Sequence, residues 1–143
     1  MGPEATLWSW LRKAVKSLGT KADVHRIETS TESGYPDVEG CVEGSQFTCE
    51  LKVVHYVRKR CGTFALPHYT QDQAYFAHRR LLAGGRHTML VRLDRSHYLI
   101  PASSMLDVFD RKSSLDAAYL AGLSLLPHDA QALALLRKMS SPY

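Results

Sequence analysis

At 143 residues, with 45% hydrophobic and 22% charged side chains, the chain has the composition of one globular domain, not of a disordered or fibrous protein. Its formal net charge of +4 suits an anionic partner without requiring one. The odd set Cys41, Cys49 and Cys61 follows no signal-like apolar run and points to a reduced, cytoplasmic protein, and no stretch approaches the ~18 apolar residues of a membrane span.

Pro3 to Gly19 reads as the first helix, with Leu7, Leu11, Ala14, Val15 and Leu18 at helical spacing beside Trp10 and a glycine placed for the C-terminal cap. Val24 to Glu28 is a short strand, and Thr29 to Gly34 a polar loop. Asp37 to Val42 and Gln46 to Val54 form a hairpin across Glu43-Gly44-Ser45. Thr70 to Ala83 is the second helix, closed by Gly84-Gly85. His87 to Leu93 and His97 to Ile100 form another hairpin. Past Pro101 the pattern turns helical, with Ser113-x-x-Asp116 as a capping box before Leu115 to Leu126 and a last helix after Pro127. The order predicts a mixed α/β domain around one sheet, covered by helices.

The hairpin carries the chemistry. In Phe47-Thr48-Cys49-Glu50-Leu51-Lys52-Val53 every odd position is apolar and every even one polar, so Thr48, Glu50 and Lys52 share one face. With Gly44-Ser45 as the turn, Asp37 falls opposite Lys52 and Glu39 opposite Glu50, which gathers three carboxylates and one ammonium in a small patch. Neighbouring carboxylates resist joint ionisation, and a hard divalent cation resolves the conflict. An exposed strand face with ordinary salt bridges is the alternative that spacing alone leaves open. Cys49, His55, Cys61 and His68 lack the close spacing of a structural zinc site.

Pro36-Asp37, twelve intervening residues, then Glu50-Leu51-Lys52 resembles the signature of the PD-(D/E)XK nucleases, and the match is nearest to the VRR-NUC and Holliday-junction-resolvase-like members found among phages. Ser33-Gly34-Tyr35 before Pro36-Asp37, and Thr70-x-x-Gln73 with Phe76, resemble further features of those proteins. The resemblance covers about residues 4–100 and implies a single nuclease domain over 1–143 with a restriction-endonuclease-like core of a mixed sheet flanked by helices. Residues 101–143 would be a C-terminal helical extension. It also implies that Asp37, Glu50 and the Leu51 carbonyl hold Mg²⁺ or Mn²⁺, that Lys52 is the catalytic lysine, and that Gln73 sits near the metal or the phosphate. Gln73 reads equally well as part of a capping box with Thr70. For an additional carboxylate Glu28 is preferred to Glu4, and Glu39 is a third option.

Arg58, Lys59 and Arg60, with Arg79, Arg80 and Arg86, are the candidate DNA contacts. Tyr56, Tyr69 and Tyr75 could stack on bases, though core packing is the safer expectation. The resemblance further implies DNA as the partner, branched DNA first, and a homodimer. A nuclease for linear or nicked duplex, or a DNA-binding module that no longer cuts, are the alternatives.

Overall fold

The computed structural model describes residues 2–28, 33–55 and 62–141. Arg58, Lys59, Arg60 and Tyr56 lie outside these residues. Helix α1 (Pro3–Ser17) is followed by strands β1 (Ala22–Arg26), β2 (Val38–Val42) and β3 (Ser45–Val54), helix α2 (Gln71–Leu82), strands β4 (His87–Leu93) and β5 (Ser96–Pro101), and helices α3 (Met105–Asp110), α4 (Ala117–Leu123) and α5 (Ala132–Ser140). The five strands lie in chain order; β3 and β4 are parallel and every other pair is antiparallel. The parallel step is what requires the long β3–β4 connection, and α2 fills it.

Alternation in β3 sends Cys49, Leu51 and Val53 to one face, where Leu90 and Leu99 join them under α1 and α5. Leu7, Leu11, Ala14 and Val15 form the buried stripe of α1, as its periodicity predicts. On the other face Met89, Val91, Tyr98 and Ile100 lie beneath α2, α3 and α4 through Ala74, Ala77, Met105, Val108 and Leu120. The segment after Pro101 thus supplies helices to both faces. It passes along β5 on the way: Leu125 N donates to Leu99 O, His97 N to His128 O, and Leu99 N to Ser124 Oγ.

Four sequence expectations are displaced. The hairpin turn is Glu43-Gly44, both at positive φ (50° and 91°), so Val42 pairs with Ser45 and the register moves by two. Glu39 lies opposite Thr48 instead of Glu50, and Asp37, one step before the Val38–Cys49 pair, comes level with Glu50 instead of Lys52. A two-residue slip preserves which face each side chain takes. β1 begins two residues early, at Ala22, and Glu28 is exposed beyond its end. The Ser113 capping box does not form: Asp116 caps α4 through Tyr119 N, and Leu115 bridges to Phe64. Finally, the polar face of β3 is not exposed, because Thr48, Glu50 and Lys52 are each under 5% accessible.

Candidate active site

The carboxylates meet where β2 begins. Asp37 Oδ2 accepts from Leu51 N at 2.8 Å, which clamps the Pro-Asp turn onto the middle of β3. Both main-chain groups of a strand residue point to the same neighbouring strand, so the Leu51 carbonyl is directed to this side as well. Continuing the register places Pro36 opposite it, and proline has no N–H to offer that carbonyl. Gly34 allows the close approach of this turn to α2. Its φ is +81°, and a Cβ there would stand 2.5 Å from the Asp72 backbone. Ser33 Oγ also donates to Asp72 Oδ2 at 2.5 Å.

Glu50 is held from three directions. Gln73 Nε2 donates to its Oε1 at 3.1 Å, Lys52 Nζ stands 3.6 Å from the same oxygen, and the Asp37 carboxylate is its third neighbour. Burial pushes the Glu50 carboxyl up to about 9, aided by the hydrogen bond and charge of Asp37, while Lys52 acts in the opposite direction. Lys52 Nζ donates to His68 O at 2.9 Å, with the Tyr69 ring centroid 5.9 Å away.

Gln73 forms the capping box and also reaches Glu50. Its N–H and Oε1 complete the capping box with Thr70, at 3.2 and 3.1 Å, while Nε2 is left for Glu50. The two roles are separable. Thr70→Ala is expected to cost about 1 kcal/mol of stability and leave cleavage near wild type. Gln73→Ala is expected to cost a similar amount and also to slow cleavage by about tenfold, the equivalent of ~1.4 kcal/mol in barrier. Thermal melts beside cleavage rates check this; an equal loss of rate in both variants would make Gln73 a cap alone.

The donor set fits a hard divalent cation: two carboxylates of which one resists ionisation, with a main-chain carbonyl directed to the same place. Neither Glu4 nor Glu28 adds to it, for no group of three or more acidic, histidine or cysteine ligands forms among the described residues. Glu4 lies in the first turn of α1, which packs on the opposite face of the sheet. Glu39 is bound by Tyr35 OH at 3.1 Å.

An open groove of about 470 Å³ lies over β1 and β2, lined by Asp23, His25, Glu39, Thr48, Arg80 and Arg86 among others; none of Asp37, Glu50, Lys52 and Gln73 lines it, and Thr48, two residues before Glu50 on the same strand face, is its nearest approach along β3. The Arg80 guanidinium lies over the Phe76 ring at 4.8 Å, and Arg79 is exposed beside it. Under the groove floor His87 is buried, hydrogen-bonded to Thr48 Oγ1 at 2.8 Å, and held neutral because burial lowers its pKa to about 3. Tyr69 is buried, whereas Tyr75 is 45% exposed. Two contacts at this site escape any sequence reading, the His68 carbonyl that accepts from Lys52 and the Lys112 side chain, which donates to Tyr69 O at 3.4 Å.

Over 95% of this chain and 97% of the other, the structure superposes on the Holliday junction resolvase of the archaeal hyperthermophile Archaeoglobus fulgidus, with a TM-score of 0.55 at 16% identity. The chain shares its fold, a mixed five-stranded sheet flanked by helices, with that resolvase. A bacterial homing endonuclease also aligns, over 96% of this chain and 94% of its own, with a TM-score of 0.47 and 16% identity. No family model matches the sequence, and no curated protein does. Among the described residues, no helix is long and apolar enough to cross a membrane.

Proposed function

We propose that the chain is a metal-dependent DNA endonuclease that acts on branched DNA, four-way junctions first, as a two-fold symmetric homodimer. The observation that carries the reading is the convergence of Asp37, Glu50, Lys52 and Gln73 at one point of the sheet, on a fold shared with a junction resolvase. Asp37, Glu50 and the Leu51 carbonyl would hold Mg²⁺ or Mn²⁺, which supplies positive charge to the phosphate and acidifies water. Lys52 keeps its ammonium at the same spot and stabilises the negative charge that builds on the phosphate oxygens as the bond breaks. Gln73 fixes the carboxylate of Glu50. Arg80 and Arg86 along the groove, with Arg79 and the Arg58-Lys59-Arg60 run, would bind the backbone without reading sequence. A junction needs two symmetric cuts, and a two-fold dimer supplies two copies of one site.

The test is cleavage of labelled four-way junction, nicked duplex and linear duplex in parallel, with Mg²⁺, Mn²⁺ or EDTA, and with the oligomeric state measured alongside. Paired symmetric cuts in the junction, abolished by EDTA, are expected. Equal cutting of linear duplex would retain a nuclease and remove the branch selectivity. Salt-sensitive DNA binding without any cutting would make the chain a binding module.

A further inference from the structure

The ammonium of Lys52 depends on a piece of backbone that the C-terminal helical segment holds in place. Residues 62–70, which lead into α2, are fastened to residues 105–115 at several points. Phe64 and Leu115 exchange both main-chain hydrogen bonds, at 2.8 and 2.9 Å, and Leu66 N donates to Lys112 O at 2.8 Å. Tyr69 OH donates to Met105 O at 2.8 Å. The side chain of Lys112 then reaches back to Tyr69 O at 3.4 Å.

On the other side of the same two residues, Lys52 Nζ uses one donor on His68 O. Two lysines from distant parts of the chain therefore grip consecutive carbonyls of one loop. The packing repeats the arrangement: Lys52 lies by the Tyr69 ring, that ring meets Phe109 edge-on at 5.5 Å, and Lys112 Nζ sits 4.2 Å from the Phe109 ring. His68 itself adopts φ +56°, a left-handed conformation unfavourable to a non-glycine residue, while its side chain is exposed. Strained backbone of this kind persists where its surroundings over-determine it, and here it aims a carbonyl at the site.

We propose that Lys112 is a positioning residue for Lys52: by fixing the Tyr69 carbonyl and the 68–69 backbone, it sets where the Lys52 ammonium stands. Lysine has three donors on a flexible stem, so a fixed acceptor is what turns it into a directed group. The proposal rests on the nuclease reading for its kinetic consequence, though not for the placement of Lys52.

Two readouts test it. In cleavage, Lys112→Met is expected to lower kcat by about tenfold with KM for DNA unchanged, the result of a small misplacement at the reacting centre, and Lys112→Arg to restore kcat. Independently of activity, acetylation of Lys52 followed by mass spectrometry, without DNA or metal, is expected to rise about fivefold over Lys13 in Lys112→Met, because labelling tracks local opening. In Lys112→Arg it is expected to return to the wild-type level. Lys112→Gln stands in if the methionine variant is unfolded by circular dichroism. Unchanged labelling of Lys52 would overturn the proposal, as would a raised KM at constant kcat, which would make Lys112 a phosphate contact. A wild-type protein that cuts nothing sinks the nuclease reading alone, since the acetylation experiment still decides the position of Lys52.

Discussion

Glu50→Gln is expected to abolish cleavage, by about 10³-fold or more, and yet to leave the protein folded and at pH 8 more stable than wild type. The side chain is 2% exposed, and its ionised form faces both the loss of water and the Asp37 carboxylate. Glutamine keeps the shape and the acceptor that Gln73 uses, and removes the charge that burial opposes. A residue that only stabilised the fold would show the reverse, with activity kept and melting temperature lowered. Single-turnover cleavage and a thermal melt on the same preparation separate the cases. A variant that still cuts at more than a tenth of the wild-type rate would remove Glu50 from the catalytic set.

The second expected result concerns pH and metal together. In the unfolded chain Glu50 releases its proton near the ordinary carboxyl value of 4.5, whereas in the folded protein burial and Asp37 hold it on up to about 9. Between those values the unfolded state binds fewer protons, so this group makes the metal-free protein progressively less stable as pH rises. Its contribution is complete below the lower value and lost through the upper one. Each pH unit of displacement corresponds to about 1.4 kcal/mol, so a part of this shift is enough to move the melting temperature by several degrees, at roughly 3 °C per kcal/mol for a chain of this size. Mg²⁺ or Mn²⁺ requires the ionised carboxylate, so its addition is expected to restore stability, most strongly toward pH 9, and to release a proton on binding. Melting curves from pH 5 to 9, with and without metal, should show the two series diverging with pH. Glu50→Gln should flatten both. Parallel curves would mean that Glu50 takes no part in holding the ion.

The grouping of the candidate site's residues was legible because they are close in sequence. Asp37, Glu50 and Lys52 fall within one hairpin, and the period-two alternation assigns their face even when the register is off by two. The turn itself was misread because Gly44-Ser45 is the more usual turn pair, whereas the chain places Glu43 at positive φ to make the turn one residue earlier. The burial of the polar face was illegible. Alternation is the mark of a half-exposed strand, and it takes α2 and residues 62–70, brought over the sheet by tertiary packing, to remove Glu50 and Lys52 from water. Gln73 carries a recognisable local pattern, the capping box, which hides its reach to a residue 23 positions away. The grip on Lys52 has no signature, for it uses main-chain carbonyls of His68 and Tyr69, and any residue carries one.

The tie between residues 62–70 and residues 105–115 also bears on how the molecule comes into being. Asp37, Glu50 and Lys52 leave the ribosome early and α2 follows within about thirty residues, but the Leu115 backbone that secures Phe64 is translated some sixty residues after Lys52. At 5–20 residues per second that interval is about 3–12 s. During it residues 62–70 lack the partners that fasten them. The growing polypeptide therefore completes the backbone support beneath the Lys52 ammonium only as a late event of synthesis.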